Sequence, residues 1–211
     1  MSTILPEDRI FQLMQILERD FPSPKPALNF KNPFELLCAV MLSAQATDES
    51  VNKATPALFK VAPDPKSMAK LGEDGIAPYI KAIGLWRGKS KNLALMSQIL
   101  VDDYDSQVPD DFKALIALPG VGEKTANVVL NVAFHHPTIA VDTHIFRVCR
   151  RTGLCIGKDA LAVQQELPSI IPDEFKQEAH HRLLYHGRLV CTARNPHCDN
   201  CSVAVLCKKR L

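Results

Sequence analysis

Cys191, Cys198, Cys201 and Cys207 fall within 17 residues at the spacing C-x6-C-x2-C-x5-C. Thiolates are soft ligands that suit zinc or an iron–sulfur cluster. Structural zinc sites more often pair their ligands on either side of a longer loop. One close pair flanked by single cysteines favours a cluster over a lone ion. The loop Thr192-Ala193-Arg194-Asn195-Pro196-His197 is held at both ends by this set and presents Arg194, well placed for a phosphate. A second group of chemical interest is Leu118-Pro119-Gly120-Val121-Gly122-Glu123-Lys124-Thr125. Two glycines there predict a tight turn that offers backbone N–H groups at a helix start, an anion site by geometry. Lys124 falls in the first turn of that helix. The positive end of the helix dipole disfavours an ammonium there, and with partial burial it makes the free amine more available as a nucleophile. Eighteen residues on stands Asp142, in Ala140-Val141-Asp142-Thr143-His144. The plainer readings are an ordinary inter-helix turn and a helix-capping aspartate.

These groups need elements to position them, and the pattern is helical almost throughout. Ile10, Leu13, Met14, Leu17 and Phe21 form one apolar stripe. Asn32-Pro33-Phe34-Glu35 is a helix start with Asn as cap, opening a segment to about Ala44 that is apolar on nearly all sides and so central. Further helices are expected over 48–59, 74–83, 89–101, 111–117, 123–134, 143–152, 158–170 and 173–190. The fold class is therefore all-α with short connections. At 211 residues, 46% hydrophobic and 23% charged, the chain is an ordinary globular length for one domain or two small ones, not a disordered or fibrous one. The apolar run Leu36–Leu42 is far below the ~18 residues that cross a membrane. The first eight residues lack a basic stretch followed by an apolar one, so no signal peptide is expected and the cytoplasm is.

Seven cysteines are an odd number and too few for a disulfide scaffold; Cys38, Cys149 and Cys155 sit in or beside apolar helical stretches and read as buried packing residues. Net charge is only +2, but it is segregated. Lys81, Arg87, Lys89 and Lys91 occur without an acid between residues 79 and 99, and Arg147, Arg150 and Arg151 without one between 143 and 153. From residue 180 onward Arg182, Arg188, Arg194, Lys208, Lys209 and Arg210 meet only Asp199. Such segregation builds either a basic face for a polyanion or merely solvated helix faces.

The stretch from Leu118 to Arg151, LPGVGEKTANVVLNVAFHHPTIAVDTHIFRVCRR, followed by the cysteine tail, resembles the endonuclease III family. These are DNA glycosylases with abasic-site lyase activity in the helix-hairpin-helix, Gly/Pro-rich, aspartate superfamily. The resemblance runs from about Asn32 to the C-terminus and includes Leu42-Ser43-Ala44-Gln45-Ala46-Thr47-Asp48. It implies two helical subdomains flanking a DNA cleft: a barrel of helices over residues 23–136, and a second subdomain of residues 1–22 and 137–211. The second would carry a 4Fe–4S cluster on Cys191, Cys198, Cys201 and Cys207. Lys124 matches the family's nucleophile and Asp142 its carboxylate. DNA contacts are implied for Gly120, Val121, Gly122 and Thr125 of the hairpin, for His144, and for Arg194. Gln45 and Leu85 match positions that fill the gap left by an extruded base, and Trp86 either stacks on a base or belongs to the core. The implied enzyme is a nucleoid-associated monomer. It acts on double-stranded DNA holding damaged bases or abasic sites and removes oxidised or ring-saturated pyrimidines through a lysine Schiff base.

Glu123 departs from the pattern, standing where many relatives carry a basic residue and adding negative charge beside the hairpin. Two alternatives share some of these parts. An adenine mismatch-type glycosylase has the hairpin, aspartate and cluster, but such relatives generally lack the lysine and carry an added C-terminal domain. A non-catalytic, metal-stabilised DNA-binding module needs only the hairpin, the basic face and the metal.

Overall fold

The computed structural model describes residues 4–209, and among these there are ten α-helices, one short 3₁₀ turn at Cys198–Asn200 and no strand. The helices are α1 (Glu7–Asp20), α2 (Pro33–Ser43), α3 (Asp48–Val61), α4 (Pro65–Ile80), α5 (Trp86–Asp103), α6 (Phe112–Ala117), α7 (Glu123–Phe134), α8 (Thr143–Thr152), α9 (Ala160–Ile170) and α10 (Asp173–Leu189). Many of the starts are set by short-range chemistry. Asn32 accepts from the N–H of Glu35, Thr47 from Ser50, Asp111 from Ala114 and Asp159 from Ala162, each occupying a donor the helix leaves without a partner.

The main departure from expectation is α4, which begins at Pro65 rather than residue 74. Asp64 and Ser67 form a reciprocal capping box with Pro65 in the first turn, a start signal readable in the sequence. Gly72, at φ 66° and ψ 177°, interrupts the helix midway, so the apolar period is broken and only its second half reads clearly.

The chain divides into two compact units. One is Pro26–His135; the other joins the residues before it to those after it. In the Pro26–His135 unit, α2 is buried at every position from Phe34 to Leu42 and packs against α3, α5 and α7, while α4 packs along α5. Leu37, Leu42, Met68, Leu93 and Val129 are among its fully buried side chains. Trp86 is half-buried against that core, and the Arg87 guanidinium lies 4.3 Å from its ring centroid, a cation–π contact. In the second unit α8 and α1 both pack on α10, around Leu13, Leu17, Ile145, Leu167 and Leu183. Leu5 and Lys208 are both bonded to the end of α8. Leu5 donates to the carbonyl of Gly153 at 2.9 Å and Lys208 to that of Thr152 at 3.0 Å.

Cys38, Cys149 and Cys155 are fully buried, and burial pushes the thiols of Cys38 and Cys149 well above the ordinary range. They are inert packing residues.

Candidate active site and iron–sulfur centre

The hairpin turn joins α6 to α7. Gly120 adopts φ +79°, in the left-handed region, and a Cβ there would lie 2.8 Å from Asn92 Nδ2 and 2.9 Å from Met41 Cε. Only glycine fits. Gly122 is different: it is the N-cap of α7 in extended conformation (φ −94°), and a Cβ there would have nothing within 4 Å. Its use is the side chain it lacks. No side chain caps α7, so the N–H groups of its first turn are left for a ligand. Val121, only 6% exposed, anchors the turn between the two glycines. Lys124 stands in that first turn and is exposed, so the partial burial expected of it is not found. Thr125 is half-buried beside it.

Asp142 is the N-cap of α8. Its Oδ1 accepts from the N–H of His144 at 2.9 Å and of Ile145 at 2.8 Å, which is the capping role expected of such a residue. The cap uses one carboxylate oxygen and fixes the direction of the other. His144 is half-buried, its Nδ1 3.2 Å from Arg147 Nη2. Lys124 belongs to the Pro26–His135 unit and Asp142 to the other.

Gln45, Leu85 and Gly120, three residues far apart in sequence, border one concave pocket of about 210 Å³ with Lys89 and Asn92. Gln45 and Leu85 are both exposed, Leu85 to 65%, and both are left-handed, at φ 53° and 59°. Non-glycine residues take that conformation only where the surroundings impose it. Lys89, part of the first basic stretch, is turned inward. It is 8% exposed and its ammonium donates to the carbonyls of Leu42 at 2.9 Å and Ala44 at 2.7 Å. Burial lowers its proton affinity below the ordinary lysine range.

The second basic stretch is also occupied. Arg147 donates to the carbonyls of Cys191 at 2.9 Å and Gly187 at 2.8 Å. Arg151 donates to those of Thr192 at 2.7 Å and Ala193 at 2.9 Å, and Arg150 reaches Ile156 and Gly157. Two arginines of α8 therefore clamp the loop that opens the cysteine tail, and His197 N–H closes it on the carbonyl of Val190 at 3.0 Å. Arg194 remains exposed on this held loop.

Cys191, Cys198, Cys201 and Cys207 border a single cavity, otherwise lined mainly by apolar groups such as Val190, Pro196 and Val203. Among the described residues no set of three or more His, Cys, Asp or Glu converges on one ion; the thiols surround a space instead. Nitrogen atoms face the sulfurs, those of Arg151 and Lys209 as N–H donors. Arg151 Nη1 is 3.6 Å from Cys191 Sγ, Lys209 N is 3.3 Å from Cys207 Sγ, and His186 Nε2 is 3.9 Å from Cys201 Sγ. Such donors favour sulfur in its charged, metal-binding form. As thiols, Cys201 and Cys207 are pushed above the ordinary range by burial first and by the neighbouring cysteines second, and metal binding displaces those protons. The residues fit a cluster.

Residues 38–173 match the family model described as HhH-GPD superfamily base excision DNA repair protein, and residues 191–207 match the iron–sulfur binding domain of endonuclease III. Endonuclease III of Escherichia coli (strain K12) is 52% identical over 197 residues, 93% of each chain. That of Haemophilus influenzae (strain ATCC 51907 / DSM 11121 / KW20 / Rd) is 50% identical over the same share. A solved structure of a trapped endonuclease III–DNA covalent intermediate, an estranged-adenine complex, superposes with a TM-score of 0.91 at 42% identity, covering 98% of this chain and 97% of that one. A thermostable thymine-DNA glycosylase at 22% identity shares the fold, with a TM-score of 0.85. The chain belongs to the HhH-GPD superfamily of base excision DNA repair proteins and, within it, to the endonuclease III family. It is accordingly an enzyme, a DNA glycosylase and abasic-site lyase acting on DNA, and its tail carries a 4Fe–4S cluster that the four cysteines fit. No described helix is long and apolar enough to cross a membrane.

Proposed function

We propose that Lys124 is the nucleophile and Asp142 the carboxylate of this activity, with oxidised or ring-saturated pyrimidines as the bases removed. The observation that carries the reading is Lys124 itself, an exposed amine in the first turn of a helix whose cap carries no side chain. A phosphate held by the free N–H groups of that turn brings the adjoining deoxyribose within reach of the amine. The covalent intermediate trapped for the 42% identical relative supports bond formation between protein and DNA here.

The target base first leaves the stack, which costs a few kcal/mol and least for a damaged base. Gln45 and Leu85 fill the space it vacates. As the N-glycosidic bond lengthens, positive charge builds on the sugar, and the Asp142 oxygen outside the cap stabilises it. The Lys124 nitrogen bonds to the anomeric carbon as the bond to the base breaks; the amine gives up a proton to the departing base, and the ring oxygen takes up another as the sugar opens to an iminium. The iminium acidifies the adjacent C–H, and loss of that proton expels the 3′ phosphate. A water nucleophile removes a base but forms no iminium, which is why the lysine separates a lyase from a simple glycosylase. When bound, the cluster supplies metal–thiolate bonds that tie the Arg194 loop, and Arg194 with the α7 turn and His144 contacts the backbone. The enzyme works as a monomer at the nucleoid in the cytoplasm.

Borohydride added during turnover on a panel of duplexes, each with one defined lesion, tests this. Wild type gives a covalent protein–DNA adduct on oxidised pyrimidines, and Lys124→Ala gives none. An undiminished adduct in Lys124→Ala moves the nucleophile elsewhere, and trapping confined to other lesions overturns the substrate class.

A further inference from the structure

Gln45 and Leu85 stand on two separate loops, yet each is held in the left-handed region. Strain of that kind persists only where neighbouring structure over-determines the backbone. The residue that joins the two loops is Lys89. Its own N–H donates to the carbonyl of Leu85 at 3.1 Å, so Leu85 is the cap of Lys89's helix. Its ammonium donates to the carbonyls of Leu42 and Ala44, at the end of α2, immediately before Gln45. The carbonyl of Gln45 in turn lies 3.5 Å from where a Cβ on Gly84 would stand, so the loops touch. The last carbonyls of a helix have no partner within it. A cation near them is favourable, but most helices use water or a surface side chain. Here a lysine is instead drawn inward until it is 8% exposed, which carries a desolvation cost.

We infer that Lys89 is a positioning residue for base extrusion, its ammonium cross-linking the loop of Gln45 to the loop of Leu85 so that both side chains enter the duplex together. This rests on the reading of Gln45 and Leu85 as the residues that fill the gap. Lys89 touches neither sugar nor base; it acts through the two residues it holds.

The test uses the cluster-loaded protein and a duplex with 2-aminopurine opposite a reduced, unreactive abasic site. At saturating protein the amplitude of the fluorescence rise reports unstacking of the partner base, independent of affinity. Lys89→Met, Leu85→Ala and Gln45→Ala are each expected to lose more than half of that amplitude. Borohydride-trapping rates on a reactive abasic duplex should fall at least tenfold in Lys89→Met, and Lys89→Met/Leu85→Ala should be within twofold of Leu85→Ala alone. Lys89→Arg, which keeps the charge and donors, should restore part of the amplitude. Full amplitude in Lys89→Met, while Leu85→Ala and Gln45→Ala lose theirs, overturns the role of Lys89 and leaves the gap-filling reading standing. Full amplitude in Leu85→Ala and Gln45→Ala overturns both. If Lys89→Met and Lys89→Arg both lose the cluster's visible absorbance and unfold, Lys89 is a structural cap and the inference fails.

Discussion

One oxygen of Asp142 accepts two backbone N–H groups at the start of α8, so a single side chain both caps a helix and aims a carboxylate. The observed cap and the proposed catalytic use are separable because they call on different properties. The cap needs an acceptor oxygen; charge stabilisation needs the negative charge. Asp142→Asn keeps an acceptor, so its stability should stay within about 0.5 kcal/mol of wild type, while single-turnover excision falls about 100-fold or more. Asp142→Ala loses both and should also cost about 1 kcal/mol, seen as a midpoint about 2–4 °C lower in thermal unfolding. Asp142→Asn excising at the wild-type rate would leave Asp142 a cap and nothing more. Lys124, the proposed nucleophile, is exposed on the first turn of α7.

At the scale of elements, the hairpin shows how two glycines two residues apart meet different requirements. Gly120 is needed for its backbone; for Gly122 the proposed phosphate contact, and not the backbone, is what a side chain would disturb. Gly120→Ala must take a left-handed conformation and drive a methyl into Asn92 and Met41, which should cost about 2 kcal/mol or more. Gly122→Ala meets nothing in the folded protein and should cost under about 1 kcal/mol, yet its methyl stands beside the N–H groups offered to a phosphate. Denaturant unfolding and DNA-binding isotherms for the pair should therefore separate, with stability lost in the first and affinity lost at preserved stability in the second. Equal effects of the two substitutions on both measurements would contradict this division. The same economy of position holds α8 to the cysteine tail. Arg147 and Arg151, one turn apart, grip consecutive carbonyls from Cys191 to Ala193, so the helix that begins with Asp142 also braces the metal-binding loop.

For the molecule as a whole, the near-neutral net charge conceals how the basic residues of the segregated stretches divide between internal partners and the surface. Lys89, Arg147, Arg150 and Arg151 serve internal carbonyls, and Arg182 is buried between Glu18 and Glu178. Lys81, Arg87, Lys91, Arg188, Arg194 and Lys209 are exposed, and exposed cations are what long-range attraction to a polyanion requires. Buried histidines oppose acid. Burial lowers His181 below its ordinary value of 6.5, so the folded protein keeps it neutral where the unfolded chain takes up a proton. Its contribution is complete above about pH 6.5 and is lost as pH falls below that value. Thermal midpoints measured from pH 7.5 to 5 should fall, and His181→Phe should flatten part of that fall. An unchanged slope in the variant would assign the acid sensitivity to other groups.

The fold class and much of the helix inventory were legible because caps and apolar periods are short-range signals: Asn32-Pro33 opens α2 and Thr143–Thr152 is α8 as expected from the residues alone. The cysteine spacing and the hairpin were legible for the same reason, and together they carried the family. What the sequence could not reveal was the direction each cation faces. Lys89 reads as a solvated lysine until α2, 45 residues away at Ala44, brings two unpartnered carbonyls to it, and Arg151 reads as basic surface until the loop 42 residues on at Ala193 arrives. Nor could it show that Lys124 is exposed or that Gln45, Leu85 and Gly120 share a pocket. Local sequence fixes where a helix starts; which side chain meets water and which a bare carbonyl depends on segments distant in the chain, and only their packing decides it.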